Sequence, residues 1–153
     1  VTRGAALRRG LAAALCGAAL AGGVAGCRAP VKTGAVAVYV SPAANDASPV
    51  PVEMVVAYDD EMVKVLSGMT ARDWFRQRTQ LRQDNPRGLE SVSWEFVPGQ
   101  SVPLRSVPVA RRKAKGAFVF ADYYAPGDHR VRVDPFRRIL ITLREDGFSV
   151  DPT

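Results

Sequence analysis

The sequence predicts a mainly β chain: a two-sheet sandwich carrying one short helical insertion. Three observations support this. Seven or eight short apolar runs recur at even spacing, and most alternate with period two, as half-buried strands do. Gly, Pro, Asn and Asp collect between the runs, where turns need them. The period shifts to that of a helix only between residues 59 and 84.

The first 26 residues stand apart from this pattern. Arg3, Arg8 and Arg9 form a positive start, residues 11–20 are uncharged and rich in Leu and Ala, and Gly22, Gly23, Ala25 and Gly26 are small. These are the three parts of a secretory signal. Val24-Ala25-Gly26-Cys27 resembles a bacterial lipobox, so we expect cleavage between Gly26 and Cys27 and a diacylglycerol thioether on Cys27. The competing reading is a membrane span. The uncharged run at 10–26 has 17 residues, at the lower limit for crossing a bilayer, and is full of Gly and Ala. Arg28, rather than Asp, follows the cysteine, which by sorting convention points to the outer membrane.

Cleavage there leaves 127 of 153 residues, enough for one domain with a real core. The expected organisation is a leader at 1–26, a lipidated tether at 27–33 and a sandwich at 34–153. With Cys16 removed and Cys27 alkylated, no thiol remains for a disulfide, a nucleophile or a metal. Losing three of 21 basic residues leaves 18 against 15 acidic ones, a net charge of +3 instead of +6. Half of the basic excess is thus the leader, and with an export address this argues against a nucleic-acid partner.

The mature chain reads as follows. Residues 35–40 alternate through Val36, Val38 and Val40, with Tyr39 on the other face. Residues 41–49 are turn formers. Residues 50–58 alternate through Val50, Val52, Met54, Val56 and Tyr58, with Glu53 opposite and Pro51 at an edge or a strand start. Asp59, Asp60 and Glu61 open a short helix to Leu66, in the first turn that the helix dipole favours for acids. Thr70 and Asp73 give a capping-box start to a helix over 70–84, with Trp74, Arg78 and Leu81 on one face. Strands follow at 90–97, with Val92, Trp94 and Phe96 on one face, and at 101–107. Residues 117–124 are apolar on both faces, which predicts a central strand. Strands at 129–133, 139–144 and 148–150 complete the set, the last two joined at the hairpin signal Glu145-Asp146-Gly147.

Several residues invite a functional reading. His129 is the single histidine, so clusters of histidines are excluded; no Gly-x-Ser-x-Gly elbow accompanies it, and it follows a Pro-Gly-Asp turn. Asp59, Asp60 and Glu61 lack the spacing of a calcium loop. Asp122 and Asp134 form a conceivable acid–base pair, although Asp134 precedes Pro135 and reads as a turn. Arg111, Arg112 and Lys113 form a basic hairpin tip, or a contact with anionic lipid or a partner. Trp74 and Trp94 are core residues or interface anchors. No metal site and no cofactor is expected.

The order of motifs is more telling than any one of them. A lipobox precedes a strand and a loop with Asn45. Pro49-Val50-Pro51-Val52 then leads into a strand ending at Tyr58. Asp73-Trp74-Phe75 sits in the helical insertion. Glu95-Phe96-Val97-Pro98-Gly99-Gln100 and a late strand, Lys115-Gly116-Ala117-Phe118-Val119-Phe120-Ala121-Asp122-Tyr123-Tyr124, follow. This order resembles the outer-membrane lipoprotein of the type VI secretion system, the TssJ-like family. The chain departs from that pattern with Asn45-Asp46 in place of Asn-Pro and His129-Arg130 in place of Trp-Arg.

The resemblance implies a transthyretin-like sandwich with added helices, and a structural rather than enzymatic role without cofactor or small-molecule substrate. It implies a lipid anchor in the outer membrane with the domain facing the periplasm. It further implies that the loop at 41–49 docks the periplasmic domain of an inner-membrane secretion-complex protein. Ala44, Asn45, Asp46 and Ala47 are then the partner-binding residues, although Asn and Asp also serve turns as such. The alternative is an unrelated sandwich lipoprotein that binds a small molecule, a glycan or peptidoglycan.

Overall fold

The computed structural model describes residues 31–109 and 114–153. The expected leader, the Gly26–Cys27 cleavage site, and Arg111, Arg112 and Lys113 lie outside the described residues.

Eight strands among the described residues form two four-stranded sheets. Sheet A has the order β4-β1-β7-β8 and sheet B the order β3-β2-β5-β6. β1 (Ala35–Val40), β4 (Ser101–Ser106), β7 (Arg138–Leu143) and β8 (Phe148–Pro152) make sheet A. β2 (Val50–Ala57), β3 (Leu89–Phe96), β5 (Gly116–Ala121) and β6 (Arg130–Arg132) make sheet B. Sheet B is antiparallel throughout. In sheet A, β1 runs parallel to β7, from Ala35 opposite Arg138 to Val40 opposite Leu143. A parallel neighbour requires a long crossover. Here everything between β1 and β7 serves as that crossover.

The alternating residues meet between the sheets. Val36, Val38, Val40, Ile139, Ile141 and Leu143 of sheet A face Val50, Val52, Met54, Val56, Val119 and Ala121 of sheet B in one buried cluster. The opposite face of sheet B is covered as well. α2 (Asp60–Gly68) and α3 (Ala71–Asp84) lay Met62, Val63, Leu66 and Trp74 on Val55, Ala57, Phe118 and Phe120. β5 is therefore buried along its whole length, as its two apolar faces require. Pro51 takes the second position of β2, next to its start.

The helix starts follow their side chains. Asp59 caps α2 by accepting from the Met62 amide at 2.7 Å. Thr70 and Asp73 close a reciprocal capping box on α3. The Thr70 hydroxyl and amide hold the Asp73 carboxyl below its ordinary pKa.

Candidate functional site

The loop between β1 and β2 is better ordered than its composition suggests. Its centre is a single turn, α1 (Ala44–Ala47), but Asn45, Asp46 and Ala47 have φ of 49°, 56° and 53°. That is left-handed backbone. Asn and Asp tolerate it through local hydrogen bonds, whereas alanine loses roughly 1–2 kcal/mol there. Surrounding bonds hold the turn in place. The Ser48 amide donates to the Ala44 and Asn45 carbonyls at 3.2 and 3.1 Å. The Asn45 side-chain amide donates to the Pro49 carbonyl at 3.1 Å.

Asn45 also ties three loops together. Its Oδ1 accepts from the Tyr124 amide beyond β5 at 2.7 Å, and its own amide donates to the Glu145 carbonyl of the β7–β8 hairpin at 3.0 Å. The residue is only 2% exposed. Ala44 is buried too, while Asp46 and Ala47 are exposed. Of the four residues singled out for docking, two shape the loop from beneath and two form its surface.

The neighbouring loops are braced in turn. The His129 ring stacks on Tyr123 with centroids 4.9 Å apart, and its Nε2 lies 2.9 Å from the Ala125 carbonyl. Gly127, at φ 153°, leaves room for that ring; a Cβ there would sit 2.9 Å from Nε2. Burial pushes the Tyr123 phenol up to about 12. Its hydroxyl is buried without a hydrogen-bond partner among the described residues. The Ala71 amide bonds the Asp128 carbonyl at 2.7 Å, which joins the start of α3 to this end of the sandwich. Between the loop and α3 lies a cleft of about 590 Å³, bordered by Asn45, Arg72, Phe75, Arg76, Asp122 and the exposed Tyr124.

The other candidates separate in space. Asp122 lies at the far end of β5, where its amide bonds the Pro51 carbonyl. Asp134 lies at the opposite end, on the Ala117 amide and paired with Arg132 at 2.5 Å. The length of β5 divides them, so they are no acid–base pair. His129 is engaged by Ala125 and Tyr123 in a turn, with no nucleophile against it among the described residues. Asp59, Asp60 and Glu61 serve the start of α2. Among the described residues no group of His, Cys, Asp or Glu is arranged to hold a metal ion. Trp74 is fully buried, and Trp94 packs half-buried against the inter-sheet core.

Sequence reasoning missed the most connected polar group in the domain. Glu53 is read from its alternation as facing away from the core. It does so, but it points under α3 and is fully buried. Trp74 Nε1 and Arg78 donate to its Oε2, both at 2.8 Å. Ser91 and Ser93 hydroxyls donate to Oε1 at 2.7 and 2.9 Å, and Arg82 donates to the same oxygen. A buried carboxylate is tolerated only when paired and hydrogen-bonded to this degree. The available signal was the spacing of Trp74, Arg78 and Arg82, each four residues apart and so on one helix face.

With this geometry the chain can be compared with known proteins. No protein-family model matches it, and no curated protein matches it in sequence. Two solved structures superpose over most of its length. The type VI secretion system lipoprotein TssJ1 of Pseudomonas aeruginosa matches with a TM-score of 0.58 at 16% identity, over 82% of this chain and 98% of TssJ1. Lip of Serratia marcescens, a membrane-bound component of the type VI secretion system, matches with a TM-score of 0.57 at 14% identity, over 78% and 96%. The two-sheet sandwich of this chain is therefore the fold shared by TssJ1 and Lip.

Proposed function

We propose that this chain is a lipid-anchored outer-membrane component of a type VI secretion complex, facing the periplasm, and that it is structural rather than catalytic. The fold shared with TssJ1 and Lip supports this, as does the lipobox at Val24-Ala25-Gly26-Cys27. One geometric observation carries the docking half of the reading. β1 runs straight from the tether to the loop at 41–49, so its six residues put about 20 Å of strand between the anchored end and the loop. A lipid on Cys27 then leaves the loop facing away from the membrane.

In this reading Asp46 and Ala47 meet the periplasmic domain of an inner-membrane partner, and Ala44 and Asn45 hold them in position. The left-handed backbone at Ala47 is local strain maintained by its surroundings, and strain of this kind collects at functional surfaces. The adjoining cleft, with Arg72, Arg76 and Asp122, extends the same surface.

Two variants test the two halves separately. Cys27→Ser should accumulate as unprocessed precursor that takes up no labelled palmitate; normal labelling would remove the anchor. Asp46→Asn removes the charge and keeps a residue type that tolerates the left-handed backbone of the turn. It should weaken calorimetric binding to the type VI inner-membrane protein's periplasmic domain, by more than tenfold if the residue is central to the contact. Unchanged affinity in Asp46→Asn and in a folded variant with the loop shortened would move docking elsewhere.

A further inference from the structure

We infer that the outer edge of β3 receives a further strand: an extended segment of the inner-membrane partner, on the reading that this partner docks at the loop at 41–49. The two sheets end in the edge strands β4, β8, β3 and β6. Three of these are blunted in ways that discourage pairing. β4 holds Pro103, and its register with β1 shifts between Val36 and Val38. β8 has five residues and ends at Pro152. β6 has three residues. β3 differs from all of them. Its eight residues, Leu89–Phe96, include no proline and pair with β2 in unbroken register.

That register fixes which backbone groups are free. The Tyr58 amide bonds the Gly88 carbonyl at 2.9 Å. Antiparallel pairs alternate between bonded and unbonded. Val92, Trp94 and Phe96 therefore exchange bonds with β2, whereas the N–H and C=O groups of Ser91, Ser93 and Glu95 point outward. Among the described residues no strand lies beyond them. A row of this kind is matched by another extended backbone, which pairs with every group in turn.

Space for side chains stands on both faces of this edge. On the inner face, the seam between the sheets opens as a cavity of about 90 Å³ lined by Val36, Val38, Trp94, Phe96 and Val102. That is the volume of about three waters, and its lining suits one aliphatic side chain. On the outer face, Phe75, Arg78, Ser93 and Glu95 border a hollow that suits a polar one. Alternate residues of an added strand point to the two faces in turn. The hollow shares Pro51, Phe75 and Glu95 with the cleft beside the loop at 41–49. Phe96 lies opposite Val50, the first residue after that loop. The free edge is thus continuous with the proposed docking surface, and one partner can cover both.

A second copy of this chain is the rival occupant. Two β3 edges joined antiparallel about a two-fold axis place one copy upside down. Its anchored end then stands farther from the bilayer by about 26 Å, the length of eight strand residues. The chain from Cys27 to Val31 reaches at most about 14 Å. Copies anchored through Cys27 on one membrane therefore cannot pair in this way, which leaves the edge to a different chain.

The test reads amide hydrogen exchange residue by residue in the lipidated full chain, alone and with the periplasmic domain of the type VI inner-membrane protein. In the chain alone, the amides of Val92 and Trp94 should exchange slowly and those of Ser91, Ser93 and Glu95 rapidly. With the partner, those three should slow by at least about tenfold. Glu95→Pro removes one outward N–H at an edge position where proline is tolerated. It should weaken calorimetric binding by about tenfold or more, while Glu95→Gln should stay within about twofold. Slow exchange kept at Val92 and Trp94 shows that the proline variant is folded, and the wild-type exchange decides the matter if it is not. Binding that Asp46→Asn weakens, with Ser91, Ser93 and Glu95 still exchanging fast, would overturn the added strand and leave the loop docking intact. Slowing at the three amides, with no effect of Asp46→Asn or of loop shortening, would uphold the strand and remove the loop contact. No binding by the wild-type chain would remove both. Slowing in the chain alone, at twice the monomer mass, would give the edge to a second copy and overturn the partner strand.

Discussion

The outer faces of the two sheets have opposite fates. On sheet B, the apolar side chains that β2 and β5 point away from the sandwich, Val55, Ala57, Phe118 and Phe120, are sealed beneath α2 and α3. On sheet A, the same face carries Tyr39, which is 47% exposed. The difference follows from composition. β2 and β5 have apolar residues at nearly every position, so a second layer must cover them, whereas β1 alternates and needs only one covered face. It also explains Glu53. A carboxylate on a face destined for burial needs partners there, and α3 supplies them in Trp74, Arg78 and Arg82.

Substitutions on the two faces probe this contrast most strongly at Phe120. Its ring stacks on Trp74 at a centroid distance of 5.4 Å and is fully buried. Phe120→Ala should cost about 3–5 kcal/mol, a large part of a domain's stability. Urea unfolding would measure it, and a cost under about 1 kcal/mol would mean that the helices do not cover this face. Glu53→Ala should come next, at about 3 kcal/mol, because it strips five donors of one acceptor. Arg78 and Arg82, at 35% and 39% side-chain exposure, can turn to water, which keeps the loss at the low end of the range for a broken buried pair. A neutral Glu53→Ala would show that α3 is held by apolar contact alone. Tyr39→Ala, on the open face, should stay within about 0.5 kcal/mol. A cost matching Phe120→Ala would require sheet A to be covered too.

The sequence was most legible where burial and periodicity agree. Val36, Val38 and Val40 in β1, and Ile139, Ile141 and Leu143 in β7, sit on the face that their spacing assigns. The central place of β5 follows from Phe118 and Phe120 opposite Val119 and Ala121, and the capping box at Thr70 and Asp73 marks the start of α3. What stayed hidden depends on distant partners. Alternation says which way Glu53 points, but not that a helix 20 residues later will lie over it. The parallel pairing of β1 with β7 leaves no local trace in either strand. In the loop at 41–49 the residue types announced a turn. The burial of Asn45 depends on Tyr124 and Glu145, far along the chain, and an alanine at position 47 is no signal for left-handed backbone.

We propose that the exposed turn at Asp46 and Ala47, opposite the expected anchor, meets an inner-membrane partner of the secretion complex. Photo-crosslinking residues placed singly at Asp46 and at Tyr39, in the lipidated full chain expressed in its own bacterium, test this most directly. An adduct with an inner-membrane type VI secretion protein from position 46, and none from position 39, is the expected result. An adduct from position 39 with none from position 46 would contradict it.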